Sequence, residues 1–191
     1  MRNALLTISV LTTLLGGCLL ATYLERPAAI FTATITSPVK YDPYINTLRH
    51  YGCSPHLAVI IRQEAEVHGL DPLTVAALIW TESRFQQNVV HALPYVRGVG
   101  GVNIKAHPQF KELAGSLRGN VQATCIELAD CIKNTPSLVK AITRQKGQSK
   151  LGERQARYTC DIISQFHETA KKFEHKEKIK QEERLAESTY F

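Results

Sequence analysis

Apolar residues recur at helical spacing through most of this chain, and short capping sequences bound the helices they predict. In "CSPHLAVIIRQEAEVHGLD", Leu57, Ile60, Ile61 and Val67 share one face, with Glu64 on or beside it. Ser54 is placed to cap that helix, Pro55 to open it and Gly69 to stop it. "DPLTVAALIWTESRF" repeats the device: Asp71 caps, Pro72 opens, and Val75, Leu78, Ile79 and Glu82 follow i, i+3, i+4, i+7 spacing. Glu82 therefore projects from the same side as the core residues. An ionised carboxylate is costly to bury unless it is paired or keeps its proton, so this position asks for a reason.

Residues 88–105, "NVVHALPYVRGVGGVNIK", interrupt the helical pattern. Gly98, Gly100 and Gly101 predict a loop or a small hairpin. Helix resumes in "NVQATCIELADCIKN", with Asn120 able to cap and Val121, Cys125, Leu128 and Ile132 along one face. "TPSLVKAITRQKG" reads as another helix, opened at Thr135-Pro136 and stopped at Gly147. A last helix starts near Gly152 and buries Ala156, Ile162, Ile163 and Phe166. Beyond Glu168 it passes into alternating charge, a solvated extension or a frayed tail without sustained heptads. The fold class expected is all-α with one Gly-rich excursion.

The N-terminus adds a destination. Arg2, then apolar residues from Ala4 to Leu15 and small residues up to Cys18, have the layout of an export signal. Leu15-Gly16-Gly17-Cys18 also resembles a bacterial lipobox, in which Cys18 is lipidated; a plain cleaved signal or an uncleaved anchor are the alternatives. Each predicts a domain outside the cytoplasm, in the periplasm and membrane-anchored if Cys18 carries lipid. The expected organisation is a signal at 1–18, a linker at 19–40, a domain at 41–167 and a charged C-terminal segment at 168–191.

Four cysteines then remain in an oxidising compartment: Cys53, Cys125, Cys131 and Cys160. Cys125 and Cys131 on one straight helix lie about 9 Å apart along its axis, too far to bond. Two disulfides would therefore tie Cys53 and Cys160 to that helix; the alternative is four buried thiols. No spacing suits zinc or another metal, and no cofactor motif occurs. The formal charge of +6 comes from dispersed Lys and Arg without a nucleic-acid-binding motif. A basic protein equally suits an acidic wall polymer.

At "TESRF" the chain resembles the lysozyme-like domain of bacterial lytic transglycosylases of the SLT type, over about residues 50–165. In that family a helix ends in Glu-Ser and the glutamate is the catalytic acid; the matching residues are Glu82 and Ser83, followed by Phe85. The "EAEVHGLDPLTVAALIW" lead-in and Asn120-Val121 with Ala123 also resemble family segments. Two positions depart from the pattern. The Gly-Leu-Met-Gln turn is represented by "GGVNI", with Gly101 and Val102 in place and Asn103 near the missing glutamine. The Tyr-Asn-x-Gly segment aligns with "RQKG", so Arg144 stands where tyrosine is expected.

The resemblance implies cleavage of the MurNAc–GlcNAc bond of peptidoglycan, with the sugar's own C6 hydroxyl replacing water and closing a 1,6-anhydro ring. One carboxyl suffices: Glu82 protonates the glycosidic oxygen and then takes the hydroxyl proton. That work needs a proton held near neutral pH, which apolar surroundings beside Ile79 and Trp80 favour. No second acid lies within 83–110. Ser83, Gly101, Val102, Asn103, Asn120 and Arg144 are the expected substrate contacts. Arg144, if beside Glu82, would oppose the desolvation. The alternative expectation is a degenerate domain of the same fold that binds the wall or serves in secretion or conjugation machinery. Partners expected are peptidoglycan strands and a membrane, and no nucleic acid.

Overall fold

The computed structural model describes residues 41–189, so the signal, Cys18 and the linker lie outside the described residues. Six α-helices carry the described chain: α1 (Pro43–His50), α2 (Pro55–Val67), α3 (Pro72–Ser83), α4 (Leu117–Lys133), α5 (Leu138–Gln145) and α6 (Lys150–Thr189). Between α3 and α4 lies the glycine-rich excursion, a hairpin of β1 (Val96–Arg97) and β2 (Val102–Asn103) followed by two short 3-10 turns. The strands are antiparallel, pairing Val96 with Asn103 and Arg97 with Val102. The described fold is all-α apart from this hairpin.

Local chemistry sets the helix starts. Ser54 Oγ accepts from Leu57 N, and an Asp71 carboxylate oxygen accepts from Thr74 N, each followed by proline in the first turn. These caps satisfy backbone donors that a helix leaves open at its N-terminus. Asp42 does the same for α1. α4 starts earlier than Asn120 would place it: Ser116 caps, and Asn120 sits inside the first turn with its side chain free for other work. α5 is likewise capped by Ser137 rather than opened at Pro136.

Leu48, Leu57, Ile61, Leu78, Ile79, Leu128, Ile142 and Phe166 form the centre of the core. Phe166 gathers Tyr51, Trp80 and Phe85 around it, with ring centroids 4.2 to 6.4 Å away. Of the expected core faces, Val67 is exposed at the end of α2 and Ile132 at the end of α4. Both sit at the last turn of a helix. Glu64 is buried on α2, where Arg118 of α4 pairs with it and answers its charge.

α6 is one continuous helix across the expected boundary at residue 168. Among the residues whose burial is described, Ala170 is the last buried one of α6, and Tyr41 Oη donates to Phe173 O, holding α6 to the start of the described chain. The expected disulfides are not formed. Cys53, Cys125, Cys131 and Cys160 are all free thiols, three of them buried. They serve as small apolar residues, Cys53 just before α2, Cys125 and Cys131 on α4 and Cys160 on α6, and burial pushes the thiols of Cys53 and Cys125 up to about 12. Unfolded without reductant and alkylated, each of these four cysteines should therefore carry one adduct by mass spectrometry; a pair left unmodified would mean a bridge.

Candidate functional site

The end of α3 decides where Glu82 points. Arg84 and Phe85 are consecutive non-glycine residues in the left-handed region, with φ of 55° and 62°. Such a pair is costly and persists only when its surroundings hold it. Phe85 is buried against Phe166, and Arg84 lies 3.3 Å over the Trp80 ring centroid while donating to Tyr158 Oη. The chain thus leaves α3 sharply, and Glu82 stands on its final turn with 26% of its side chain exposed.

The hairpin closes over Glu82 because its glycines remove side chains at points of contact. A Cβ on Gly98 would overlap the Asn120 amide, and one on Gly100 the Thr124 hydroxyl. At Gly101, where φ is +64°, a Cβ would lie 2.6 Å from Glu82 Oε2. Asn120 fastens the arrangement: its Oδ1 accepts from Gly100 N at 2.8 Å, and its Nδ2 donates to Arg97 O at 2.9 Å. The three glycines are therefore contact surfaces as well as turn residues.

Between the hairpin, α4 and the end of α5 lies a cleft of about 380 Å³. Its walls include Glu82, Gly101, Asn103, His107, Glu127, Arg144, Gln145 and Lys146. Lys146 Nζ is in contact with Glu82 Oε1, and its side chain is 7% exposed. Sequence alignment set Arg144 against Glu82, but the cation that reaches the carboxylate comes two residues later, from the C-terminus of α5. Arg144 lines the cleft, and also a second, larger hollow of about 700 Å³ beside Lys140 and Arg157.

Several of the expected contact residues have partners within the fold. Ser83 is buried and its Oγ donates to Ile79 O within α3, so it does not reach the carboxylate. Val102 is buried in a small cluster with Phe110, Ala114 and Ala123. Asn120 is engaged by the hairpin, and Asn103 Oδ1 accepts from Lys105 N and Ala106 N in its own turn. Gly101, Asn103 and Arg144 remain on the cleft wall with Glu82.

A second acid, missed in the sequence, shares the cleft. Glu127 Oε1 pairs with His107 Nε2 at 3.1 Å, and Glu127 is 11% exposed. His107 in turn stacks on Phe110, with ring centroids 5.7 Å apart. Burial raises the Glu127 carboxyl above the usual glutamate range, and the charge of Glu82 raises it further; His107 and Gln145 work in the other direction without cancelling this. A signal for it existed. Asn120, Thr124 and Glu127 follow i, i+4, i+7 on α4, a polar line beside the apolar one that the helical reading followed. Among the described residues no group of three His, Cys, Asp or Glu side chains is arranged to hold a metal. Nor is any described helix long and apolar enough to cross a membrane.

Comparison with family models, with curated proteins and with solved structures found no match.

Two outcomes follow from this geometry. Asn120→Ala leaves Gly100 N and Arg97 O without their partner and should cost about 1–3 kcal/mol in denaturant unfolding. For Glu127, the native chain keeps a proton that the unfolded chain has already released near 4.5. Its contribution to stability is full below that unfolded value and is lost as pH rises through the raised native one. Stability should fall across that window, and Glu127→Gln should flatten the fall in unfolding curves measured at a series of pH values.

Proposed function

We propose that this chain is a peptidoglycan lytic transglycosylase, a divergent member of the SLT type built on a lysozyme-like helical domain. It cleaves the MurNAc–GlcNAc bond and leaves a 1,6-anhydro-MurNAc end. The observation that carries the reading is the position of Glu82: the last turn of α3 delivers its carboxylate into a cleft, against Gly101 of a glycine-rich hairpin. A cleft of about 380 Å³ falls within the range of small-ligand sites and has room for sugar rings, with polar groups on several walls.

The reaction needs one proton delivered to the glycosidic oxygen and one removed from the C6 hydroxyl; the positive charge that develops at C1 needs a carboxylate nearby. Glu82 is the carboxyl placed for that work. Lys146 must be displaced for Glu82 to give a proton, because a neutral carboxyl offers no charge to an ammonium. Sugar hydroxyls and amides entering between the hairpin and α5 are suited to take over that ammonium. Export to the periplasm, with attachment at Cys18, places such an enzyme beside its polymer.

A second reading has its own support: a wall-binding or assembly component of the same fold without turnover. Lys146 occupies the carboxylate, and the amides of Asn103 and Asn120 are engaged within the protein. Release of anhydro-muropeptides from purified wall, measured by mass spectrometry for the chain and for Glu82→Gln, separates the two. Turnover that falls by about 10²-fold or more in the variant supports the enzyme, given the usual size of acid–base contributions. Wall binding without any release selects the second reading, and release untouched by the substitution removes Glu82 from its role.

A further inference from the structure

The larger hollow, of about 700 Å³, has no task in the proposed scheme. α5 supplies Lys140 and Arg144 to its wall, one helical turn apart, and the start of α6 supplies Glu153 and Arg157. Three cations thus face one acid. Arg144 also lines the cleft that holds Glu82, so the two spaces share a wall.

What the hollow leaves free to bind is positive charge. Thr143 Oγ1 donates to Val139 O within α5, and Asn134 Nδ2 donates to Asp130, so both lining residues are engaged. Arg157 Nη2 meets Glu153 Oε1 at 2.7 Å, an exposed pair that uses one of the five guanidinium N–H donors. Among the described residues, neither Lys140 nor Arg144 takes part in an ion pair.

Such a set suits a carboxylate. A guanidinium offers parallel N–H groups to its two oxygens, and an ammonium adds charge from any direction. The neutral sugar rings of a glycan ask for neither. In peptidoglycan the acids sit on the short peptide carried by the lactyl group of MurNAc. A strand with its sugars in the cleft therefore brings carboxylates to the cleft's edge. Resting on the reading above, we propose that the hollow between α5 and α6 binds the carboxylates of this peptide through Arg144, Lys140 and Arg157. Arg144, on the shared wall, is placed between sugar and peptide. The site gives a recognition task to the residue that stands where the resemblance expects tyrosine.

Calorimetric titration of the full chain at low salt tests the site with MurNAc-L-Ala-D-Glu and with its neutral diamide. The acid should bind about tenfold tighter than the diamide, the size of one good charge-assisted contact. In Lys140→Gln/Arg157→Gln the two should come within about twofold of each other. Glu153→Gln removes the repelling acid and frees Arg157, so the preference should rise by about twofold to fivefold, a gain that damaged folding does not produce. Equal binding of acid and diamide by the wild type overturns the proposal. So does a preference that survives the double substitution, or one that does not rise in Glu153→Gln. Inorganic phosphate that binds as tightly as the acid, and is lost in the same variant, shows a general anion site and overturns it too. Release of anhydro-muropeptides is read alongside. Release without an acid preference refutes the hollow's role alone, whereas an acid preference without release keeps the peptide site and refutes the enzyme.

Discussion

The amide of Asn120 is the fastening on which the cleft depends. One side chain on the first turn of α4 bonds both strands' connection, through Gly100 N and Arg97 O, and so fixes the hairpin on the helix. That closeness is possible only because Gly98 and Gly100 put no Cβ against Asn120 and Thr124. Buried polar groups carry a large penalty when left unpaired, so the two bonds act as a specification of geometry as much as a source of stability. Once the hairpin is seated, Gly101 falls over Glu82 and the cleft has its roof.

The floor is set by a different constraint. Trp80, Phe85 and Phe166 pack together, and Arg84 lies over the outer face of Trp80. This packing holds Arg84 and Phe85 in a left-handed turn that the backbone alone disfavours. The energetic cost sits next to Glu82, as strained backbone does at many working sites, and the return is a carboxylate that leaves the core and enters the cleft. Two side-chain pairs then complete the walls: Lys146 with Glu82, and His107 with Glu127. They come from four separate segments, and they turn a hole between helices into a polarised space.

Much of the architecture was legible in the residues. Ser54-Pro55 and Asp71-Pro72 mark their helix starts because capping is a local matter of one side chain and three backbone N–H groups. The core side of α3 follows from periodicity, and Glu82 with it. The start of α4 was misplaced by a few residues because both Ser116 and Asn120 are chemically able to cap, and only packing shows that Asn120 is needed by the hairpin. The cysteines were ambiguous for a related reason: an even count suits bridges, yet bonding depends on distances between elements that no spacing along the chain reveals.

What the sequence by itself determined is the set of helices, their caps, the glycine-rich break and the presence of one acid on a core-facing stripe. All of these are short-range, since they depend on neighbours within a turn or two. What only the tertiary structure decided is the company that acid keeps. Lys146 lies 64 residues away along the chain, and Asn120 and Thr124 meet glycines about twenty residues before them. Side chains that distant are brought together by the packing of whole helices, and ion pairs and close approaches act over a few ångströms; no local pattern records which cation will arrive.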